Sequence, residues 1–228
     1  MMRDPKKPRH YYLPSISMLY VTSLLIANIT AFKIIAIGPV IFPAGLIIFP
    51  LSYIFDDILT EVYGYQYSRR IIWTGLLCIW IFLLVEKVTT FLPAAPFWHF
   101  QGAYQLVMDS IPRLTVASSV SYLCSEFLNS YLLAKLKVAY QGKHYWLRLL
   151  LSTGAGSGID TFLFCLIAFL GVFSWEHLVS LIFWQWLIKV SYEILVIPIT
   201  YLITNYLKRV EHEDYYDTKT NFNPFKLS

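Results

Sequence analysis

The sequence predicts an all-α membrane protein with six transmembrane helices and both termini in the cytoplasm. Two compositional observations point there: hydrophobic residues make up 57% of the 228 and charged residues only 14%, and mean hydropathy is +0.56, all outside the range of soluble domains. The third is the recurrence of apolar runs near the roughly 20 residues that a helix needs to cross hydrocarbon. Six crossings leave little chain for anything else. The sequence therefore divides into a basic N-terminal segment (1–15), a transmembrane unit (16–207) and a polar tail (208–228).

The first span covers 16–37. The head before it carries Arg3, Lys6, Lys7 and Arg9, but the apolar stretch is too long for a signal peptide and lacks a small-residue cleavage site, so it stays as an anchor. Gly38-Pro39 turns the chain into a second span, 44–65, in which Pro50 removes an amide donor and kinks the helix. The third span covers 71–88. A loop rich in proline and aromatic residues, 89–112, leads to the fourth span at 114–136, the fifth at 149–173 and the sixth at 178–207.

Basic residues set the orientation, because cytoplasmic loops hold the excess of Lys and Arg. The N-terminal head, the Arg69-Arg70 turn, the connection carrying Lys135, Lys137, Lys143 and Arg148, and the Lys208-Arg209 tail all fall on one side. Both termini are thus cytoplasmic, and the acidic tail with Glu211, Glu213, Asp214 and Asp217 is expected to be loosely ordered. The net charge of +4 is modest and its cations flank apolar runs, which speaks for membrane orientation and against nucleic-acid binding. Cys78, Cys124 and Cys165 all lie in apolar segments and read as small core hydrophobes, with neither a disulfide nor a metal site.

Ionisable groups inside apolar runs are the functional signal, since charge in hydrocarbon persists only beside a partner, water or a ligand. At 1.5 Å of rise per residue, Asn28, Asp57, Glu126, Asp160 and Lys189 each fall about 16 to 20 Å into their own span, so five helices supply one polar slab near the middle. Asn129 lies one turn from Glu126, and Glu193 one turn from Lys189. Carboxylates outnumber ammonium groups across the spans, and a cationic or donor-rich solute fits that shortfall. Polar groups can also act only as interhelical glue. Asp56, Glu61, Glu86 and Lys87 near span ends read as snorkelling residues. Gly154, Gly156 and Gly158 read as a close-packing face, and Trp184 and Trp186 as packing surface or, near the slab, a stacking platform. Ser52-Tyr53, Ser121-Tyr122 and Ser191-Tyr192 precede acids on alternate spans and suggest repeated hairpin units.

Enzymatic chemistry is not expected. There is no nucleotide-cradling Gly-x-x-x-x-Gly-Lys-[Ser/Thr] segment and no cofactor motif. The rival of another class is an intramembrane hydrolase, given Gly156-Ser157-Gly158-Ile159-Asp160. However, Asp160 stands one place too late for a Gly-x-Gly-Asp motif, and no histidine lies in a span to activate Ser157.

Three stretches resemble the queuosine precursor transporters of the vitamin uptake transporter group. They are Phe49-Pro50 through Asp56-Asp57, Thr60-Glu61 and Tyr63-Gly64 with Arg69-Arg70; Ser152-Thr153 through Gly158-Ile159-Asp160-Thr161; and Lys189-Val190-Ser191-Tyr192-Glu193 with Pro198. One departure stands out: where that family usually carries Gly-Gln-x-x-Asp, this chain has Ser125-Glu126-Phe127-Leu128-Asn129, moving the carboxylate by one turn. The resemblance implies an inner-membrane importer of 7-cyano- or 7-aminomethyl-7-deazaguanine, or queuine, for tRNA queuosine salvage. Asp57, Glu126 and Asp160 are then candidates to bind its donor edge, Lys189 its carbonyl, and Asn28, Asn129 and Glu193 further polar contacts. Tyr53 and Trp184 are candidates to stack on the ring. The segment Pro93-Ala94-Ala95-Pro96 is a candidate outer gate. A substrate-binding subunit of an energy-coupled vitamin transporter is the alternative within transport. A homo-oligomer or an energy-coupling subunit is left open as partner, beside membrane lipid.

Overall fold

Proline and glycine punctuate the helices of the computed structural model, which describes residues 10–226 apart from 32, 39, 109 and 110. The basic head at Arg3, Lys6, Lys7 and Arg9 lies outside the described residues. Helix α1 (Leu13–Thr30) has Pro14 in its first turn, and α2 (Pro50–Tyr63) begins on Pro50. The expected kink at Pro50 is therefore corrected: a first-turn proline loses no intrahelical bond, so it starts a helix instead of bending one. Gly64, at φ +87°, separates α2 from α3 (Tyr65–Phe91), and any side chain there would collide with Tyr215. A short α4 (Gln101–Met108) precedes α5 (Ile111–Ala139), α6 (Tyr145–Phe169) and α7 (Trp175–Glu211).

The first two spans also change at their facing ends. Strands β1 (Ile34–Ile37) and β2 (Val40–Pro43) form an antiparallel hairpin pairing Ile34 with Pro43 and Ile37 with Val40, followed by a 3₁₀ turn at Ala44–Ile47. Strictly all-α is thus corrected to helical with one hairpin. β-Branched runs on both sides of Gly38 satisfy a strand-turn-strand pattern as readily as they do a span.

Four helices, α1, α3, α6 and α7, are long and apolar enough to cross a membrane. Helix α2 has 14 residues, about 21 Å of rise, and nearly all of them are buried among α1, α3, α5 and α7. Helix α5 lies along α6 and against α2 and α3, with Ser118, Ser121, Ser125, Glu126, Asn129 and Ser130 buried. Leu77, Leu84, Leu195 and Leu202, on α3 and α7, are exposed. Polar side chains collect inside and apolar ones outside, as a lipid solvent requires. Gly156 allows the close α5–α6 approach, since a Cβ there would lie 3.1 Å from Ser125 O and from Asn129 Cβ.

The tail does not hang loose, which corrects the expectation for the described part of 208–228. Arg69 donates to the carbonyls of Asn221 and Asn223 at 2.9 and 2.8 Å, Trp73 Nε1–H to Pro224 O at 2.8 Å, and Tyr215 N–H to Val62 O at 3.2 Å. Asp217 accepts the Tyr65 N–H at 3.1 Å, capping α3, and burial pushes its carboxyl above the ordinary value. A polar segment adheres because it satisfies helix-end and guanidinium groups that have no other partner. At the same end, Glu211 accepts the Tyr11 and Tyr12 amides at 2.9 and 2.6 Å, closing α7 onto the start of α1. At the opposite end Arg113 donates to Ile167 O and Leu170 O at 3.1 and 2.7 Å, capping α6.

Candidate functional site

A cavity opens beneath the hairpin, lined by Asn28, Gly45, Phe49, Asp160, Gln185 and Lys189 among others. Its remaining wall includes Ala27 and Ala31 of α1, Ser118 and Ser121 of α5, and Phe164 of α6. Across it Lys189 on α7 forms an ion pair with Asp160 on α6, both side chains about 5% exposed or less. The Lys189 ammonium also sits 4.6 Å from the centre of the Phe49 ring. A buried pair facing a cavity offers a donor and an acceptor side by side. Asn28 Nδ2 donates to Leu24 O at 2.9 Å, and Gln185 Nε2 reaches Cys165 Sγ at 3.4 Å.

The hairpin holds one wall through Gly45, where a Cβ would overlap the Ala27 carbonyl. Gly45→Val should push the 3₁₀ turn off α1 at a cost of about 1 to 3 kcal/mol. Thermal unfolding and solute binding should both worsen, whereas Gly102→Val, with open space around it, should change neither.

Next to the cavity lies an acidic centre. Asp57 accepts from Asn129 Nδ2 at 2.8 Å and Thr153 Oγ1 at 3.2 Å. Asp56 accepts from Ser130 Oγ at 2.6 Å and from Ser68 Oγ. Glu126 is fully buried, and neither carboxyl oxygen has a hydrogen-bond partner among the described residues.

Toward the tail a buried ionic network closes the bundle. Arg148 grips Glu61 with two bonds, at 2.6 and 3.1 Å; Lys208 reaches Glu61 Oε1 at 2.7 Å; Lys137 donates to Glu61 O at 2.6 Å and to Asp214 at 2.6 Å. Burial pushes the Asp214 carboxyl up, but its bonds to Lys137 and Lys208 outweigh burial and hold it below the ordinary range. Polar contacts thus run through the molecule in three layers: ion pair at the cavity, carboxyl centre, ionic network.

The profile of the family described as "Putative vitamin uptake transporter" matches residues 43–203. This chain belongs to the vitamin uptake transporter family. It is similar to the "Probable queuosine precursor transporter" of Bacillus subtilis (strain 168), 24% identical over 177 residues that cover 77% of each chain. No solved structure gives a significant match. Family membership and four apolar helices make it a multi-pass membrane protein, consistent with the inner membrane. The matched stretch holds Asp160 and Lys189, whereas Asn28 precedes it.

Of the residues singled out from the sequence of this family member, Asn28, Asp160 and Lys189 reach the cavity. Asp57, Glu126 and Asn129 converge with one another, off the cavity wall. Tyr53 is buried edge-on against Phe49 at 5.6 Å between ring centres. Phe49, not Tyr53, faces the cavity. Trp184 packs on Phe183 and does not line the cavity; Trp186 ties α7 to α6 by donating to Gly154 O at 3.1 Å. Glu193 is buried with Oε1 unpartnered.

Snorkelling is corrected for Asp56 and Glu61, each 1% exposed: α2 is packed among α1, α3, α5 and α7, so both side chains are enclosed by neighbouring helices. Glu86 is buried too, beside a half-exposed Lys87. Pro93, Ala94 and Ala95 line a separate open hollow with Trp98 and Tyr104. Sequence reasoning missed Phe49, Phe164 and Gln185. Helical spacing could have found the last two, because Phe164 is four residues after Asp160 and Gln185 four before Lys189.

Proposed function

We propose that this chain imports 7-deazaguanine precursors of queuosine across the inner membrane, by alternating access around the Asp160–Lys189 cavity. The observation that carries the reading is an acid and an ammonium side by side on a cavity wall, next to an aromatic ring. A guanine-type edge presents N1–H and a 2-amino group beside a carbonyl. Asp160 accepts the two N–H donors, Lys189 donates to the carbonyl, and Phe49 lies against the ring. An aminomethyl substituent adds a cation that carboxyl groups favour. Asn28 and Gln185 supply amides that select orientation.

On this reading six helices cross the membrane: α2 spans together with the 3₁₀ turn before it, and α5 spans behind a shield of its neighbours. Both termini are cytoplasmic, which places the cavity toward the outside and makes the Glu61–Arg148–Lys208 network the closed inner gate. The similarity to a relative named for queuosine precursor transport supports the substrate class.

Cells unable to make these precursors test it. Supplied with 7-cyano-7-deazaguanine, 7-aminomethyl-7-deazaguanine or queuine, they should regain queuosine in tRNA only when this chain is expressed. Equal recovery without the chain at limiting precursor concentrations overturns the proposal.

A further inference from the structure

Glu126, Asp56 and Asp57 lie off the cavity wall, and none has an ion-pair partner among the described residues. Hydroxyl and amide donors from Ser68, Ser130, Asn129 and Thr153 serve the two aspartates. Glu126 receives none. Asn129, one turn along α5, uses its Nδ2 on Asp57, and its Oδ1 is left without a donor although the residue is fully buried. The Glu126 carboxyl instead stands against that of Asp56, itself an acceptor, and a single proton between the two carboxyls provides the missing hydrogen.

We infer that Glu126, backed by Asp56 and Asp57, is a proton-carrying site that couples proton entry to solute movement. Each element around it contributes: Tyr20 from α1, Tyr53 and both aspartates from α2, Ser68 from α3, Tyr122 from α5 itself, and Asp160 from α6, while Glu193 and Lys189 of α7 act on Asp57 and Asp160. Charge on Glu126 acts electrostatically on Asp160. A proton from the outer side adds to a Glu126 carboxylate oxygen, which removes that repulsion, and Asp160 accepts the solute's N–H groups. The proton departs on the cytoplasmic side when the solute does, and no bond in the solute is made or broken.

The coupling rests on the import reading for its substrate, so the test includes a readout that needs none. In liposomes holding purified protein, uptake of labelled 7-aminomethyl-7-deazaguanine should rise about tenfold under an inward proton gradient, within the usual range of site-to-site coupling. Glu126→Gln should lose that stimulation while solute exchange at equal concentrations continues, and Glu126→Asp should regain part of it. Without solute, infrared spectra of the purified protein should show a carboxylic-acid C=O band, shifted in D₂O, that is absent from Glu126→Gln. The inference is overturned if that band persists in Glu126→Gln, if wild-type uptake follows a sodium gradient alone, or if Glu126→Gln keeps the proton stimulation. Should no precursor bind or move, the import reading fails while the infrared result still decides the proton site.

Discussion

Lys189→Ala and Asp160→Asn should each abolish precursor uptake while the protein still reaches the membrane. The two side chains are paired, almost fully buried, and face the cavity. Truncating one partner of a buried pair leaves the other charge uncompensated, at a cost of about 3 to 5 kcal/mol of stability, and losing a hydrogen bond between solute and a charged group should lower affinity by about ten- to a hundredfold. Asp160→Asn keeps the volume but turns one acceptor oxygen into an N–H₂ donor that opposes the solute's own donors. Binding to purified protein, followed by calorimetry, checks this. The double variant Asp160→Asn/Lys189→Met separates recognition from folding: with both charges gone the fold recovers stability, yet binding stays lost. Binding within threefold of wild type in either single variant would remove the pair from the site.

The second large effect is on stability. Glu61→Gln should lower the thermal unfolding midpoint by about 10 °C, the shift expected from losing roughly 3 to 5 kcal/mol in a chain of this size. Glu61 is the hub of the ionic network, with Arg148, Lys208 and Lys137 converging on it, and Arg148 and Lys137 are as deeply buried as Glu61 itself. Without its charge three cations lie together with only Asp214 between them. Asp214→Asn should cost less than about 1 kcal/mol, because that side chain is 44% exposed and solvent screens it. Scanning calorimetry of detergent-purified protein gives both numbers. Equal midpoints for the two variants would deny the hub role.

Some of this was legible in the sequence. Each of the six predicted spans overlaps one helix, and four of those helices are long and apolar enough to cross hydrocarbon. Similar heights along their helices for Asn28, Asp160 and Lys189 were legible as well, because a helix advances by a fixed rise, and the three line one cavity. What misled was local ambiguity. Ile34–Ile37 and Val40–Pro43 carry enough apolar surface to extend a span, but pair as strands; Pro50 suits a kink or a first turn equally in sequence terms.

Height alone could not tell Asp160 from Glu126. Both lie in one slab, yet Asp160 meets Lys189 at the cavity while Glu126 turns into the carboxyl centre among α2, α5 and α6. The rotation of each helix about its axis, and which neighbours then touch, depend on packing between segments far apart in the chain. Only the tertiary structure decided that Phe49 faces the cavity, that Glu61 is buried and not snorkelling, and that the acidic tail straps back onto Arg69 and Lys137. The sequence by itself determined which segments form long apolar helices and how far along each helix a charge stands. Partnership required the fold, because a charge inside a bundle is stabilised by whichever helix happens to face it.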